Sequence, residues 1–100
     1  RAIEENGATR LAVAGDLDIT AAEPLERAVS AALDGGAREL VIDLSPTTFV
    51  DSTGLSHLLA ARRRADAARA RLKIVAPQGS EARVVIDLAG VGTILGVAET

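Results

Sequence analysis

The 100-residue chain sets 11 Lys and Arg against 14 Asp and Glu, a net charge of −3, and although 48% of it is hydrophobic only Phe49 is aromatic. The absence of cysteine and the presence of a single histidine exclude a disulfide framework, a Cys-based zinc site, a thiol nucleophile and a His-rich metal site within one chain. Its apolar runs fall far short of the roughly 20 residues of a membrane helix, and Glu4 and Glu5 stand where the apolar stretch of a signal peptide would begin.

What remains is the expectation of one small cytoplasmic domain with no cofactor. Twenty of the apolar residues are alanine, so the core falls to 12 Leu, 9 Val, 6 Ile and Phe49. Mild acidity points to neither nucleic acid nor an anionic membrane as a partner. The charge is uneven, however: residues 60–73 carry a local +5, which leaves −8 on the rest.

In chain order, Thr9 to Ala14 suits a strand, with Leu11 and Val13 two apart. Gly15-Asp16-Leu17-Asp18 ends it, and Thr20 with Glu23 fits a capping box, with Asp18 a turn residue or a helper in the cap and Pro24 tolerated in a first turn. Leu25, Ala28, Val29, Ala32 and Leu33 follow the stripe of a helix with one buried face, stopped by Asp34-Gly35-Gly36. Leu40 to Leu44 is the near-continuous apolar run of a central strand, and Ser45-Pro46-Thr47-Thr48 is turn material. A second helix is expected after Gly54, with Leu55, Leu58, Leu59 and Arg62 at helical spacing and arginines at its negative end. Leu72 to Val75 predicts a third strand, Ser80 to Leu88 a helix with Val84, Val85 and Leu88 inward, and Thr93 to Val97 a last strand. Strands alternating with helices in this way predict an α/β domain with a largely parallel sheet.

The chemistry concentrates in Phe49-Val50-Asp51-Ser52-Thr53-Gly54-Leu55, between the central strand and the second helix. Sites in open α/β sheets gather at the carboxyl ends of strands. Ser52 or Thr53 could cap the unpaired N–H groups of the helix start, a commonplace role for such hydroxyls. A phosphate on Ser52 is the functional counterpart. It would add about −1.5 to −2 charge where a helix N-terminus accommodates an anion, beside Asp51 and Asp18.

Asp51-Ser52-Thr53-Gly54-Leu55 preceded by Phe49, the upstream Gly15-Asp16-Leu17-Asp18 and the later Leu88-Ala89-Gly90-Val91 resemble the STAS domain, and most nearly the bacterial anti-sigma-factor antagonists. The resemblance covers nearly the whole chain. It implies one STAS domain over residues 1–100, trimmed at both ends. The implied fold is a mixed, largely parallel sheet of four to five strands with helices mainly on one face. It further implies that Ser52 is phosphorylated by a serine kinase that is also the anti-sigma factor, and that a phosphatase resets the switch. Asp18, Asp51, Ser52, Thr53 and Gly54 are the implied partner-binding residues. Asp16 stands where the family more usually has Glu, Thr53 where Ser is frequent, and the family usually continues past Thr100 into a final helix. The alternative is a sensory or scaffold STAS domain of a larger protein, such as a transporter, a stress-sensing complex or lipid-transport machinery.

Competing chemistries fit less well. His57, five residues after Ser52, lies well round the helix from it, and Asp51 replaces the first Gly of a nucleophile elbow. Gly90-Val91-Gly92 follows a helix, so it is no dinucleotide fingerprint. The basic run at 62–73 has no aromatic residue for base stacking and reads as a solvated helix end. A non-enzymatic module is therefore expected, with Phe49, three residues before Ser52, anchoring the loop.

Overall fold

Among the residues that the computed structural model describes, 2–5 as backbone only and 8–100, seven strands and four helices succeed one another. β1 (Ala2–Glu5), β2 (Ala8–Ala12), β4 (Glu39–Asp43), β6 (Arg71–Val75) and β7 (Val97–Ala98) form one sheet in the order β1-β2-β4-β6-β7. β1 runs antiparallel to β2 and every other pair is parallel, so the sheet is mixed and largely parallel, as expected. β3 (Gly15–Leu17) and β5 (Thr47–Val50) make a separate two-stranded parallel ribbon.

Register explains which face of the large sheet is apolar. Thr9, Leu40 and Leu72 are neighbours across three strands, as are Leu11, Ile42 and Ile74, and all six are buried. Alternation of side chains along a strand sends Arg10, Val41 and Lys73 to the opposite face. The inward leucines and isoleucines join one core with Leu25 and Val29 of α1 (Ile19–Asp34), Leu58, Ala61 and Ala65 of α2 (Ser52–Ala67), and Ala82 and Ile86 of α3 (Glu81–Ala89). Each fully buried leucine or isoleucine in this cluster stabilises the fold by about 1.5–3 kcal/mol. The helices thus cover mainly one face of the sheet.

Several expectations need correction. The strand expected over Thr93–Val97 is instead the one-turn helix α4 (Gly92–Leu95) followed by β7. Leu95 is fully buried and Val91, four residues earlier, packs against the core, a helical spacing. Gly96 then takes φ +68°, a left-handed value that glycine adopts freely, and ends the turn. Val84 and Leu88 do not point inward. α3 buries Ala82 and Ile86, four apart, so residues two positions from Ile86 face solvent and Leu88 is 84% exposed.

The helix starts also differ. Asp18, not Thr20, caps α1, accepting from the N–H groups of Thr20 and Ala21, while Glu23 pairs with Arg27 outside the cap. Pro24 lies in the second turn, where it has no N–H to give to the carbonyl four residues back. α2 begins at Ser52, two residues before Gly54, with Asp51 as its cap.

Gly54 shows why that early start is possible. A Cβ at this position would lie 2.3 Å from the Leu17 carbonyl oxygen, in a contact that only glycine permits. Gly54→Ala should therefore cost about 3 kcal/mol, at the upper end of overpacking effects. Urea denaturation followed by circular dichroism would measure this loss. A change below about 1 kcal/mol would show that the two segments can separate without harm.

Candidate functional site

Two loops that are 33 residues apart in the chain meet through the β3–β5 ribbon. Its register pairs Gly15 with Thr47, Asp16 with Phe49 and Leu17 with Val50. The ribbon is tied to the main sheet at its start. The buried Thr47 donates its hydroxyl to the Val13 carbonyl at 2.7 Å, and the Gly15 N–H donates to the Pro46 carbonyl at 3.1 Å. At its far end the Asp51 N–H reaches the Leu17 carbonyl at 3.4 Å, and the Thr48 hydroxyl donates to Asp16 at 3.1 Å.

Both strands end in an aspartate that caps a helix. Leu17-Asp18 opens α1, and Val50-Asp51 opens α2, so the two helix starts lie side by side. Val50 precedes the cap and Leu55 lies four positions after Asp51. This is the spacing of a hydrophobic staple, with Val50 in the core and Leu55 packed against it. The structure therefore brings Asp18, Asp51, Ser52, Thr53 and Gly54 to one end of the molecule.

The division of labour within the loop differs from the expectation that a hydroxyl caps the helix. Asp51 Oδ1 accepts from the Gly54 N–H at 2.9 Å, and its carbonyl accepts from the Leu55 N–H. The Ser52 and Thr53 hydroxyls have no hydrogen-bond partner among the described residues. Ser52 is exposed at the first helical position, Thr53 is half-buried, and Gly54 is buried on Leu17.

Phe49 is not the anchor of this loop, since half of its surface is exposed. An irregularity in the ribbon skips Thr48, which reverses the alternation and turns Phe49 outward while Val50 turns in. Leu17 and Val50 hold the loop instead. The signal for them was in the sequence as two repeats of one pattern, an apolar residue directly before a capping aspartate. Ile19, 72% exposed at the start of α1, stands with Phe49 as apolar surface close in sequence to the two caps.

His57 belongs elsewhere. Its Nδ1 lies 3.6 Å from a Glu26 carboxylate oxygen, across the α1–α2 interface. No helix among the described residues is long and apolar enough to cross a membrane, and no group of three His, Asp or Glu among them stands together as a metal site would require.

Two carboxyls titrate below the ordinary aspartate value of 3.8. For Asp18 the hydroxyl of Thr20 is the main cause, with desolvation opposing it and the N–H groups of Thr20 and Ala21 adding to it. For Asp43, desolvation opposes ionisation, but the Ser45 hydroxyl and N–H and the Arg10 guanidinium outweigh it.

A small mixed-sheet module with a pair of adjoining helix starts and an exposed serine hydroxyl at one of them is the class these features define. Comparison with known proteins agrees. Residues 2–96 match the family described as Mlab, STAS domain. The anti-sigma-F factor antagonist RsfB of Mycobacterium tuberculosis is 34% identical over 87 residues, 87% of this chain and 70% of that protein. The crystal structure of an anti-sigma factor antagonist from Mycobacterium paratuberculosis superposes with a TM-score of 0.86 at 29% identity, over 100% of this chain and 84% of that one. The Bacillus cell fate determinant SpoIIAA, in its phosphorylated form, shares the fold with a TM-score of 0.74 at 21% identity, over 98% and 87% of the two chains. The chain belongs to the STAS domain family.

Two predictions follow from the caps. Asp51→Ala should lower stability by about 1 kcal/mol, the usual loss for an N-cap, whereas Ser52→Ala should change it by under about 0.5 kcal/mol. Paired chemical denaturation curves would separate them; equal losses would return the capping role to Ser52. Because folding lowers the Asp18 pKa, its contribution is complete above the unfolded value of 3.8 and disappears as the pH falls through the lower folded value. Thermal midpoints between pH 6 and 2 should accordingly fall less steeply for Asp18→Asn than for the parent chain. Parallel slopes would show that the Asp18 carboxylate gives no pH-dependent support.

Proposed function

We propose that this protein is an anti-sigma-factor antagonist and a non-enzymatic phospho-switch. It binds a serine-kinase anti-sigma factor when Ser52 is unphosphorylated, and so releases the sigma factor. The kinase modifies Ser52 and a serine phosphatase restores it, all within the cytoplasm and without nucleic acid or membrane as a partner. The family membership and the names of the two mycobacterial relatives support the antagonist role.

One observation carries the switch: the Ser52 hydroxyl is exposed and free while its neighbour Asp51 does the capping. A modification there removes no hydrogen bond on which the fold depends. The start of α2 also tolerates the added anion, because the Ser52 and Thr53 N–H groups lie in the first turn, where a helix has no internal acceptors. The effect falls on the surface instead. About −1.5 to −2 charge appears beside Asp51 and Asp18, and a partner surface matched to the unmodified loop meets like-charge repulsion and added bulk. Asp18, Asp51, Ser52, Thr53 and Gly54 form the polar centre of the docking surface in this reading, with Ile19 and Phe49 as apolar contacts.

The test is phosphorylation by a serine-kinase anti-sigma factor from the same genome with ATP, mapped by mass spectrometry. A single phosphate on Ser52, abolished in Ser52→Ala, is the expected result. Ser52→Asp should weaken the kinase complex at least tenfold while moving the thermal midpoint by no more than about 2 °C. An active kinase that leaves Ser52 unmodified, or a complex indifferent to Ser52→Asp, rejects the switch.

A further inference from the structure

α1 and α2 lie side by side on the sheet, and between them runs a cleft of about 220 Å³. Its floor consists of Leu25 and Val29 from α1 and Ala60 and Ala61 from α2. The alanines end at Cβ, so α2 contributes a smooth wall where longer side chains would have closed the gap. Most of the cleft's exposed surface is therefore hydrocarbon.

Its two ends carry charge of different kinds. At one end Glu26, the single acidic residue lining the cleft, is paired with His57 at 3.6 Å. At the other end stands Arg64, seven residues further along α2, which places it roughly 10 Å away along the helix axis. Three other arginines on the helices have carboxylate partners one turn away: Arg27 with Glu23, Arg62 with Asp66 and Arg83 with Asp87. Arg64 has no carboxylate within 4.0 Å among the described residues, and donates only to the neutral hydroxyl of Ser30. A permanently charged, fork-shaped donor thus sits at the mouth of an apolar slot with its capacity for a carboxylate unused.

We infer that this cleft binds a medium-chain aliphatic carboxylate. The carboxylate lies against the Arg64 guanidinium, and the alkyl chain runs along Leu25, Val29, Ala60 and Ala61 toward His57. Charge selects the orientation: the Glu26 end offers an anion an acidic neighbour already engaged with His57, whereas the Arg64 end offers bidentate, charge-assisted hydrogen bonds. The slot is too small for a drug-sized or two-chain ligand, since pockets for such molecules run from roughly 300 Å³ upward. The site is separate from the Ser52 loop, and it stands or falls without the proposed switch.

Sodium octanoate is the probe, with 1-octanol as its uncharged counterpart, each titrated into isotopically labelled protein and followed by NMR. Octanoate should give saturable shifts confined to residues lining the cleft, with a roughly millimolar dissociation constant, and should bind more tightly than octanol. Arg64→Gln, at an exposed position, should weaken octanoate about tenfold and leave octanol unchanged. Ala60→Leu, at a half-exposed position, should abolish binding of both by filling the slot, with the remaining spectrum intact. Saturable shifts elsewhere, no saturation, or equal octanoate affinity in Arg64→Gln would overturn the assignment.

Discussion

The contact between Gly54 and the Leu17 carbonyl is the constraint from which the site takes its shape. A helix start cannot normally be laid against another chain segment, because the Cβ of its first turn holds the neighbour away. Here the missing Cβ lets α2 begin on top of the end of β3, where a methyl group would lie 2.3 Å from the Leu17 carbonyl oxygen. The β3–β5 ribbon aligns the two segments, and the buried Leu17 and Val50 fasten both to the core.

The same arrangement divides structural duties within four consecutive residues. Asp51 holds the helix start, Gly54 holds the ribbon, and the residues between them are relieved of structural duty. A serine that also served as the cap would couple every modification to the folding equilibrium. Elsewhere the chain uses alanine for an analogous purpose. Ala61 and Ala65 are buried on α2, where small side chains let the helix lie close to the sheet, and larger leucines fill the space from the other side.

Periodicity made much of this fold legible. The central strand at 40–44, the stripe of α1 and the alternation of strands with helices rest on hydrophobic spacing that the final packing respects. The ribbon was hidden for a physical reason. β3 and β5 are only three and four residues long, and the irregularity at Thr48 destroys the period of two that would betray a strand. It also made Phe49 look like an inward residue, since hydrophobicity was visible and the reversal of alternation was not. Leu88 and Val84 misled in a similar way: in a nine-residue helix, the buried stripe of Ala82 and Ile86 is too short to outweigh larger apolar residues beside it. Proximity of Asp18 to Ser52 depends on long-range pairing between β3 and β5, which no local period reveals.

The distribution of charge acquires a meaning once α2 is placed. Its 16 residues span about 24 Å of a molecule 33 Å long, with Ser52 at one end and Arg63 and Arg64 near the other. Asp16, Asp18 and Asp51 gather near the first end; Arg69 and Arg71 follow just beyond the second. The chain is consequently a permanent electric dipole as well as a weak net anion. In the field of a charged partner such a body experiences a torque, so it arrives already turned. A phosphate on Ser52, as the proposed switch requires, would strengthen that dipole along its existing axis. The preferred orientation of approach would then be kept, and discrimination would be left to the short-range fit of the final encounter.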